Sequence, residues 1–151
     1  MEVKWLGHVV LYVSDLDRSR RFYGDVLGLK EIPGDTPTRL PAAAFTSGRT
    51  HHELFLIEVG SDAAPIPEGR RVGMYHFGLK VGESDDELRE AQQQLAEAGV
   101  RVVGAADHTV THSLYIMDPD GNEVELYIDV QPEVWHEDPA AVFSPIKPLQ
   151  L

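Results

Sequence analysis

The chain of 151 residues contains no cysteine, no long apolar run and no excess of basic residues. Without cysteine, disulfide bonds, thiolate metal sites and cysteine nucleophiles are all excluded. No stretch is long and apolar enough to span a membrane. Lys4 and His8, close to the start, do not fit the apolar core of a signal peptide. The sequence therefore predicts a cytoplasmic protein that has no membrane partner.

The charge balance is strongly acidic. The chain has 13 Lys and Arg residues against 25 Asp and Glu residues, which gives a formal net charge of -12 at pH 7. Contacts to phosphates need clustered basic residues, so this balance argues against nucleic acid as a partner. The one basic cluster, residues 17–21, is interpreted as the solvent-exposed face of a helix. With 42% hydrophobic residues, a chain of this length can bury one proper core.

One structural plan occurs twice along the chain. Residues 5–30 read as an alternating strand, a helix with its N-cap at Ser14 or Asp15, and a glycine stop. Residues 73–103 repeat this plan, with Ser84 as the N-cap. Short strands and turns follow each helix, so the chain reads βαβββ twice. The sequence predicts an α+β fold in which paired βαβββ modules form a curved sheet.

The predicted modules belong to one domain. Module one covers about residues 4–60 and module two about residues 73–130, joined by a linker that contains Pro and Gly at about residues 61–72. The tail, residues 131–151, is rich in Pro and is predicted to be extended, with one short helix near residues 132–136.

Three predicted strands carry an apolar face and a polar face, as expected when helices cover one side only. The polar faces carry His8 and His76 at matching places in the two modules. In the last strand of module two, Glu123, Glu125 and Asp129 alternate along one face. A single histidine on a strand is more often a hydrogen-bonded surface residue, but that interpretation does not account for two at matched positions. Two imidazoles and one carboxylate on an open sheet face are the ingredients of a metal triad.

These features resemble the vicinal oxygen chelate superfamily, whose members build a metal cup from paired βαβββ modules. Within it, the chain is most similar to type I extradiol ring-cleaving dioxygenases, the catechol 2,3-dioxygenase-like group. The resemblance extends to about Asp129 and rests on GHVVLYVSDLDRSRRFYGDVLGL, HHELFLI, MYHFGLKV and DHTVTHSLYIMDPDGNEVELY. The larger enzymes of this group carry a further N-terminal pair of modules, so a single-domain version is expected here.

The resemblance implies a ligand set and a reaction. His8, His76 and Glu125 would bind Fe(II), with Mn(II) or another divalent ion as the alternative occupant. The substrates would be a catechol and dioxygen, and the ring would be cleaved in the meta fashion. His52 would act as the acid–base, and Tyr115 would bond a substrate oxygen. A homodimer or a higher homo-oligomer is expected, with the modules closing one cup within a chain or exchanging between chains.

Three further residues are predicted to contact or orient the substrate. His108 resembles a histidine that orients the substrate, and His112 is the alternative for that place. Trp135, in the tail, is predicted to fold over the mouth of the cup and to shape a pocket for an aromatic ring. The alternative for the tail is packing against the sheet or a partner subunit.

Other reactions of the superfamily remain as alternatives. Glyoxalase I uses four protein ligands, and its fourth is a glutamate on the last strand of the first module. One alignment of the two modules places Leu54 opposite Glu125, which gives no fourth ligand. A shift by one residue places Glu53 there instead. The first alignment is favoured because it keeps His52 on the metal face.

Two further kinds of superfamily member are neither dioxygenases nor lyases. Fosfomycin-resistance thiol transferases share a His-His-Glu triad, but the sequence shows no basic pocket for an anion. Metal-free proteins of the bleomycin-resistance kind sequester flat ligands and generally lack the triad, so its presence counts against that function.

Overall fold

The structure is a computed structural model that describes residues 1–34 and 41–151. It consists of two compact units, Met1–Ile66 (unit 1) and Pro67–Leu151 (unit 2). The division falls within the predicted linker. No helix in the described part of the chain is long and apolar enough to cross a membrane.

Unit 1 contains one βαβββ module. Its elements are β1 (Val9–Val13), α1 (Leu16–Arg20) continued by a π-helical segment (Arg21–Val26), β2 (Lys30–Glu31), β3 (Ala42–Thr46) and β4 (Leu54–Glu58). The sheet order is β1-β4-β3-β2, and β1 runs parallel to β4. Asp15 is the N-cap of α1, because its carboxylate accepts a hydrogen bond from the Arg18 backbone N–H at 2.8 Å. Gly28, with φ of 76°, takes the left-handed conformation that ends the helical segment.

Unit 2 repeats the module and extends it. Its elements are β5 (His76–Gly82), α2 (Asp85–Glu97), β6 (Val102–Asp107), β7 (Thr111–Met117), β8 (Glu123–Asp129), α3 (Pro132–Glu137), a 3-10 helix (Pro139–Phe143) and β9 (Lys147–Pro148). The sheet order is β5-β8-β7-β6-β9, so its first four strands are arranged as in unit 1. Ser84 caps α2 as predicted. The prediction of two βαβββ modules in an α+β fold is confirmed.

The tail is more ordered than the sequence predicted. The short helix lies where it was expected, but the remainder is not simply extended. A 3-10 helix follows α3, and β9 then pairs antiparallel with β6 at Ala106 and Asp107. The tail therefore adds a fifth strand to the sheet of unit 2, on the free edge of β6.

Each sheet buries one face and leaves the other open. In unit 2 the buried face lies against α2, whose Leu88 and Leu95 are 0% and 2% exposed. On β8 the buried positions Val124, Leu126 and Ile128 alternate with polar ones. Burial of these apolar side chains is the main stabilising contribution to the unit. The alternation leaves the polar face of β8 free to carry a functional site.

Candidate functional site

A cavity of about 620 Å³ opens on the polar face of the unit 2 sheet. Four residues predicted from the sequence line it: His76, His108, Tyr115 and Glu125. Trp135 of α3 lines it as well. The structure thus brings together the unit 2 members of the predicted site, and it places part of the tail beside them.

A chain of polar contacts joins these side chains. The Tyr115 hydroxyl donates to Glu125 Oε1 at 3.2 Å, across the paired strands β7 and β8. His108 Nε2 lies 2.7 Å from the same hydroxyl oxygen. Because a phenol has a single proton and Tyr115 gives it to Glu125, His108 donates through Nε2–H in this contact. The other Glu125 oxygen, Oε2, lies 3.2 Å from His76 Nε2.

The environment of Tyr115 keeps its phenol protonated. Burial, together with the charge of Glu125 and the hydrogen bond to it, raises the pKa of Tyr115 above its ordinary value of 10.0. At neutral pH the hydroxyl is therefore a hydrogen-bond donor that points at a carboxylate.

His76 and Glu125 have the spacing of two adjacent metal ligands. Donor atoms that bind one divalent transition-metal ion at right angles, each at about 2.1 Å, lie about 3 Å apart. The observed 3.2 Å between Nε2 and Oε2 is close to that value, although it also suits an ordinary ion pair. The chemistry of the two donors, a neutral imidazole and a carboxylate, fits Fe(II) or Mn(II).

Gly78 lies beside the Glu125 carboxylate and the Tyr127 ring. It pairs with Glu125 across β5 and β8. A Cβ atom at Gly78 would lie 3.2 Å from the Tyr127 ring and 3.6 Å from Glu125 Oε2. The contact with the Tyr127 ring would be the tight one, so the absence of a side chain at Gly78 mainly leaves room for that ring.

The third predicted ligand, His8, belongs to unit 1. It immediately precedes β1 and is exposed. Within residues 1–34 and 41–151, no group of three or more His, Cys, Asp or Glu side chains is arranged to hold a metal ion. The structure thus brings two of the three predicted ligands together in unit 2.

In unit 1, His8 lies beside the predicted acid–base residue. Its ring centroid is 4.4 Å from that of His52, and His51 Nδ1 lies 2.6 Å from His52 Nδ1. Partial burial, followed by the neighbouring His8 and His51 rings, lowers the pKa of His52 from its ordinary value of 6.5. His52 is therefore neutral at pH 7 and can accept a proton.

The strand register corrects the expectation that Leu54 is the counterpart of Glu125. Glu125 pairs with the residue two positions after His76. In unit 1, the residue two positions after His8 pairs with Phe55. Leu54 points to the opposite side, into the core, and is 2% exposed. The alignment was wrong by one residue, and the true counterpart carries no metal-binding group.

Glu53, the other candidate for a fourth ligand, is held by the connection between β3 and β4. Its carboxylate accepts hydrogen bonds from the Ser47 backbone N–H at 2.8 Å and from the Ser47 hydroxyl at 3.0 Å. Arg49 lies 3.2 Å from it. Partial burial acts to raise the pKa of Glu53, but the hydrogen bonds and Arg49 lower it overall. The Glu53 carboxylate therefore stabilises the connection between β3 and β4 through Ser47 and Arg49.

His112 lies on the face of β7 opposite to Tyr115. Side chains alternate along a strand, and Leu114, which shares the face of His112, is 0% exposed against the core. His112 Nδ1 is 2.6 Å from Asp85 Oδ1 in the first turn of α2. Its position therefore does not support the substrate-binding role predicted for it, whereas His108 lines the cavity and contacts Tyr115.

Two features, one in the cavity wall and one beside it, were not identified from the sequence. Pro139 and Val142 form part of the wall, and no local sequence signal indicates that the 3-10 helix of the tail reaches this place. Glu123 lies next to His76 at 3.2 Å. The sequence did contain a pattern that could have indicated Glu123, because Glu123 and Glu125 alternate along the same face of β8.

Comparison with known proteins identifies the family. The model of the Glyoxalase/Bleomycin resistance protein/Dioxygenase superfamily matches residues 5–126. Catechol-2,3-dioxygenase of Bacillus subtilis (strain 168) is 32% identical over 133 residues, which cover 88% of this chain and 44% of that protein. Biphenyl-2,3-diol 1,2-dioxygenase 3 of Rhodococcus globerulus is 34% identical over 125 residues, covering 82% and 63%. The chain thus matches only about half of the length of these relatives.

Solved structures extend the comparison to the fold. A glyoxylase/bleomycin resistance protein/dioxygenase domain from Frankia sp. EAN1pec is 25% identical, with a TM-score of 0.69 over 85% of this chain and all of that chain. The relatives also include lactoylglutathione lyases and a glutathione transferase, so the superfamily match spans several reactions. Because the family model covers most of the sequence, this protein belongs to the Glyoxalase/Bleomycin resistance protein/Dioxygenase superfamily.

Proposed function

We propose that the protein is an extradiol dioxygenase that cleaves a catecholic ring with dioxygen, using Fe(II) held by His8, His76 and Glu125. The observation that carries the proposal is the contact chain from His108 through Tyr115 and Glu125 to His76, which faces one cavity. The relatives named as catechol and biphenyldiol dioxygenases support this reaction over the others in the superfamily.

The proposed ligand set suits the substrate. Fe(II) held by three protein ligands would keep coordination positions open for a catechol and for dioxygen, and Mn(II) suits the same ligands. Two neutral imidazoles and one carboxylate leave the site with a net positive charge, which favours a catecholate. Phe55, at the place that matches Glu125, adds no fourth ligand and so agrees with the open positions that a catechol needs.

Tyr115 is the proposed donor to a substrate oxygen. Its hydroxyl is 3.2 Å from Glu125 Oε1, so a catechol oxygen bound beside Glu125 would come within reach of the same O–H. The raised pKa of Tyr115 means that the proton stays on the phenol while the substrate carries the negative charge. The hydrogen bond from His108 Nε2–H fixes the orientation of the hydroxyl. The two residues together would orient the ring.

His52 is the proposed proton carrier. Its lowered pKa leaves the imidazole neutral at pH 7, as required of a base that removes the proton of a catechol hydroxyl. The protonated imidazole can then return that proton to an oxygen atom as the catechol ring opens. A histidine suits both steps because its charge changes near neutral pH.

The cavity walls suit a flat apolar ring. Val110, Trp135 and Val142 supply apolar surface in the same cavity as the polar side chains of His76, His108, Tyr115 and Glu125. The volume of about 620 Å³ lies within the range of small-molecule sites. With an aromatic ring bound, these apolar walls would exclude water from the reacting oxygens and so strengthen the hydrogen bond from Tyr115.

The direct test is anaerobic reconstitution with Fe(II), followed by an aerobic assay against a panel of catechols. We expect a coloured ring-fission product and uptake of dioxygen. An assay with methylglyoxal and glutathione is the counter-test. Robust turnover there, with none on any catechol, would contradict the proposal and favour a lyase.

The ligand role of Glu125 has its own test. Glu125→Ala should abolish metal loading while the fold is kept, because the core contribution of β8 comes from Val124, Leu126 and Ile128. Glu97→Ala, on the exposed side of α2, is the control and should load normally. Full metal stoichiometry in Glu125→Ala would show that this carboxylate is not a ligand.

A further inference from the structure

Each ring nitrogen of His76 faces a carboxylate from β8. Glu123 and Glu125 are two residues apart on that strand, so both side chains lie on the same face. His76 Nε2 is 3.2 Å from Glu125 Oε2, and His76 Nδ1 is 3.2 Å from Glu123 Oε1. The strand register brings this about, because His76 is the residue that pairs with Glu123 across β5 and β8.

The contact with Glu123 involves two buried polar atoms. His76 Nδ1 and Glu123 Oε1 are both shielded from solvent, and neither has an aligned hydrogen-bond partner among the described residues. The two side chains are 28% and 19% exposed. A buried polar atom that lacks a partner is destabilising. A proton on Nδ1, with a small rotation of the Glu123 carboxylate, would satisfy both atoms at once.

We propose that Glu123 is a positioning residue that accepts a hydrogen bond from Nδ1–H of His76. A neutral imidazole carries one proton, so a proton held on Nδ1 leaves the lone pair of Nε2 free beside Glu125. Histidines that bind metals commonly donate their other ring N–H to a carboxylate, which fixes the tautomer and the ring orientation. This inference rests on the metal-binding role proposed above for His76 and Glu125.

The remaining carboxylate of the same face provides a comparison. Asp129 lies 2.8 Å from Lys80 Nζ, so an ordinary ion pair neutralises it. Glu123 has the His76 ring as its close neighbour instead. Asp129→Asn is therefore a matched control, since it removes one negative charge from the same strand face without touching His76.

Metal affinity is the first readout. Zn²⁺ would be titrated by calorimetry into metal-free wild type, Glu123→Gln, Glu123→Leu and Asp129→Asn. We expect Glu123→Leu to weaken Zn²⁺ binding by about 10- to 100-fold. Glu123→Gln should weaken it less, because its amide oxygen can still accept the Nδ1–H bond. Asp129→Asn should stay near wild type. Affinity for Zn²⁺ in Glu123→Leu within about twofold of wild type would overturn the proposal.

The tautomer of His76 is the second readout, and it does not depend on metal. Nitrogen-15 NMR of the metal-free protein should show the His76 proton on Nδ1 in wild type. In Glu123→Leu the proton should move to Nε2, where Glu125 accepts it. A merely structural role for Glu123 would not move this signal. An Nε2–H tautomer in wild type, or the same tautomer in both proteins, would also overturn the proposal.

The two readouts separate this inference from the proposed function. Wild type that binds no Zn²⁺ but shows the Nδ1–H tautomer would refute the metal site and support the Glu123 contact. Wild type that binds Zn²⁺ while Glu123→Leu is unchanged in affinity and tautomer would keep the metal site and refute the role of Glu123. Thermal unfolding of each variant checks that it is folded, and Glu123→Gln provides a conservative variant.

Discussion

Replacing Tyr115 by Phe removes one hydroxyl and the two hydrogen bonds that it makes. The hydroxyl lies 3.2 Å from Glu125 Oε1 and 2.7 Å from His108 Nε2. A hydrogen bond to a charged group contributes about 1.5–3 kcal/mol. If that bond passes to a catecholate oxygen during the reaction, its loss corresponds to about a 10- to 150-fold fall in kcat/KM. We expect Tyr115→Phe to fall within this range.

The same substitution should change stability little. Both former partners line the cavity, so water can replace the lost hydroxyl. We expect the free energy of unfolding to fall by no more than about 1 kcal/mol, measured by urea denaturation. Tyr75→Phe is the matched control, because Tyr75 is 71% exposed and lies against His76 with ring centroids 4.8 Å apart. It should leave the free energy of unfolding and the kinetics unchanged.

The assay uses protein with measured Fe(II) content, and kcat and KM are determined separately. A fall in kcat and in kcat/KM together would mean that Tyr115 acts mainly in the transition state, and a rise in KM alone would mean uniform binding. The reasoning is refuted if Tyr115→Phe keeps kcat/KM within about twofold of wild type at equal Fe(II) content. It also fails if the variant loses more than about 3 kcal/mol of stability, because the hydroxyl would then be mainly structural.

Three other predictions follow from the placement of single groups. Truncation after Val130 should raise KM for catechols and speed oxidation of Fe(II), because Trp135 lines the cavity. If truncation instead gives monomers with unchanged kinetics, the tail is an assembly element. His108→Gln should lower kcat by about tenfold or more. His112→Gln should change only the urea midpoint of unfolding. Equal losses of kcat in the two variants would contradict the assignment of these histidines to opposite sides of the sheet. Glu53→Gln should destabilise most at neutral pH. The pKa of Glu53 in the folded protein lies below its ordinary value of 4.5. The extra free energy of unfolding that wild type has over Glu53→Gln is therefore present above pH 4.5 and is lost as the pH falls through the folded pKa. Urea unfolding that shows the same difference at all pH values would contradict this.

The modules and their helix boundaries could be predicted because their signals are local. An N-cap needs only a side-chain oxygen and the backbone N–H groups of the next turn, and Asp15 and Ser84 both form such caps. Gly28 and Gly99 lie where the backbone has φ of 76° and 72°, a conformation that other residues rarely adopt. Each of these features is decided within a few residues of the chain.

The strand register could not be read from the sequence in the same way. The alignment of Leu54 with Glu125 relied on similar residues at the ends of two strands, residues 57–59 and 128–130. A shift by one residue reverses the face of every side chain. Pairing with β1 decides the matter, because Leu54 lies opposite Val9 and Phe55 opposite Val10. That information belongs to a partner strand more than forty residues away in the chain.

The choice between His108 and His112 shows a second limit. Both His112 and Tyr115 lie within β7, and an odd separation puts them on opposite faces. His108 comes before that strand, and the turn between them has Thr109 at φ of 73°. A hydrogen bond from the His108 backbone N–H to the Thr111 carbonyl oxygen at 2.9 Å closes this turn. Strand alternation therefore could not place His108, and only the turn geometry does so.

The acidic face of β8 now has a physical explanation. Carboxylates at alternate positions of one strand repel each other unless each has a positive or hydrogen-donating partner. Asp129 is paired with Lys80, and hydrogen bonds to Asp129 and then to Glu83 raise the pKa of that lysine. Glu123 lies beside the His76 ring, and Glu125 lies beside that ring and the Tyr115 hydroxyl. The phenol of Tyr115 is uncharged and one imidazole carries at most one positive charge, so a divalent cation bound beside Glu125 would supply the charge that this end of the strand lacks.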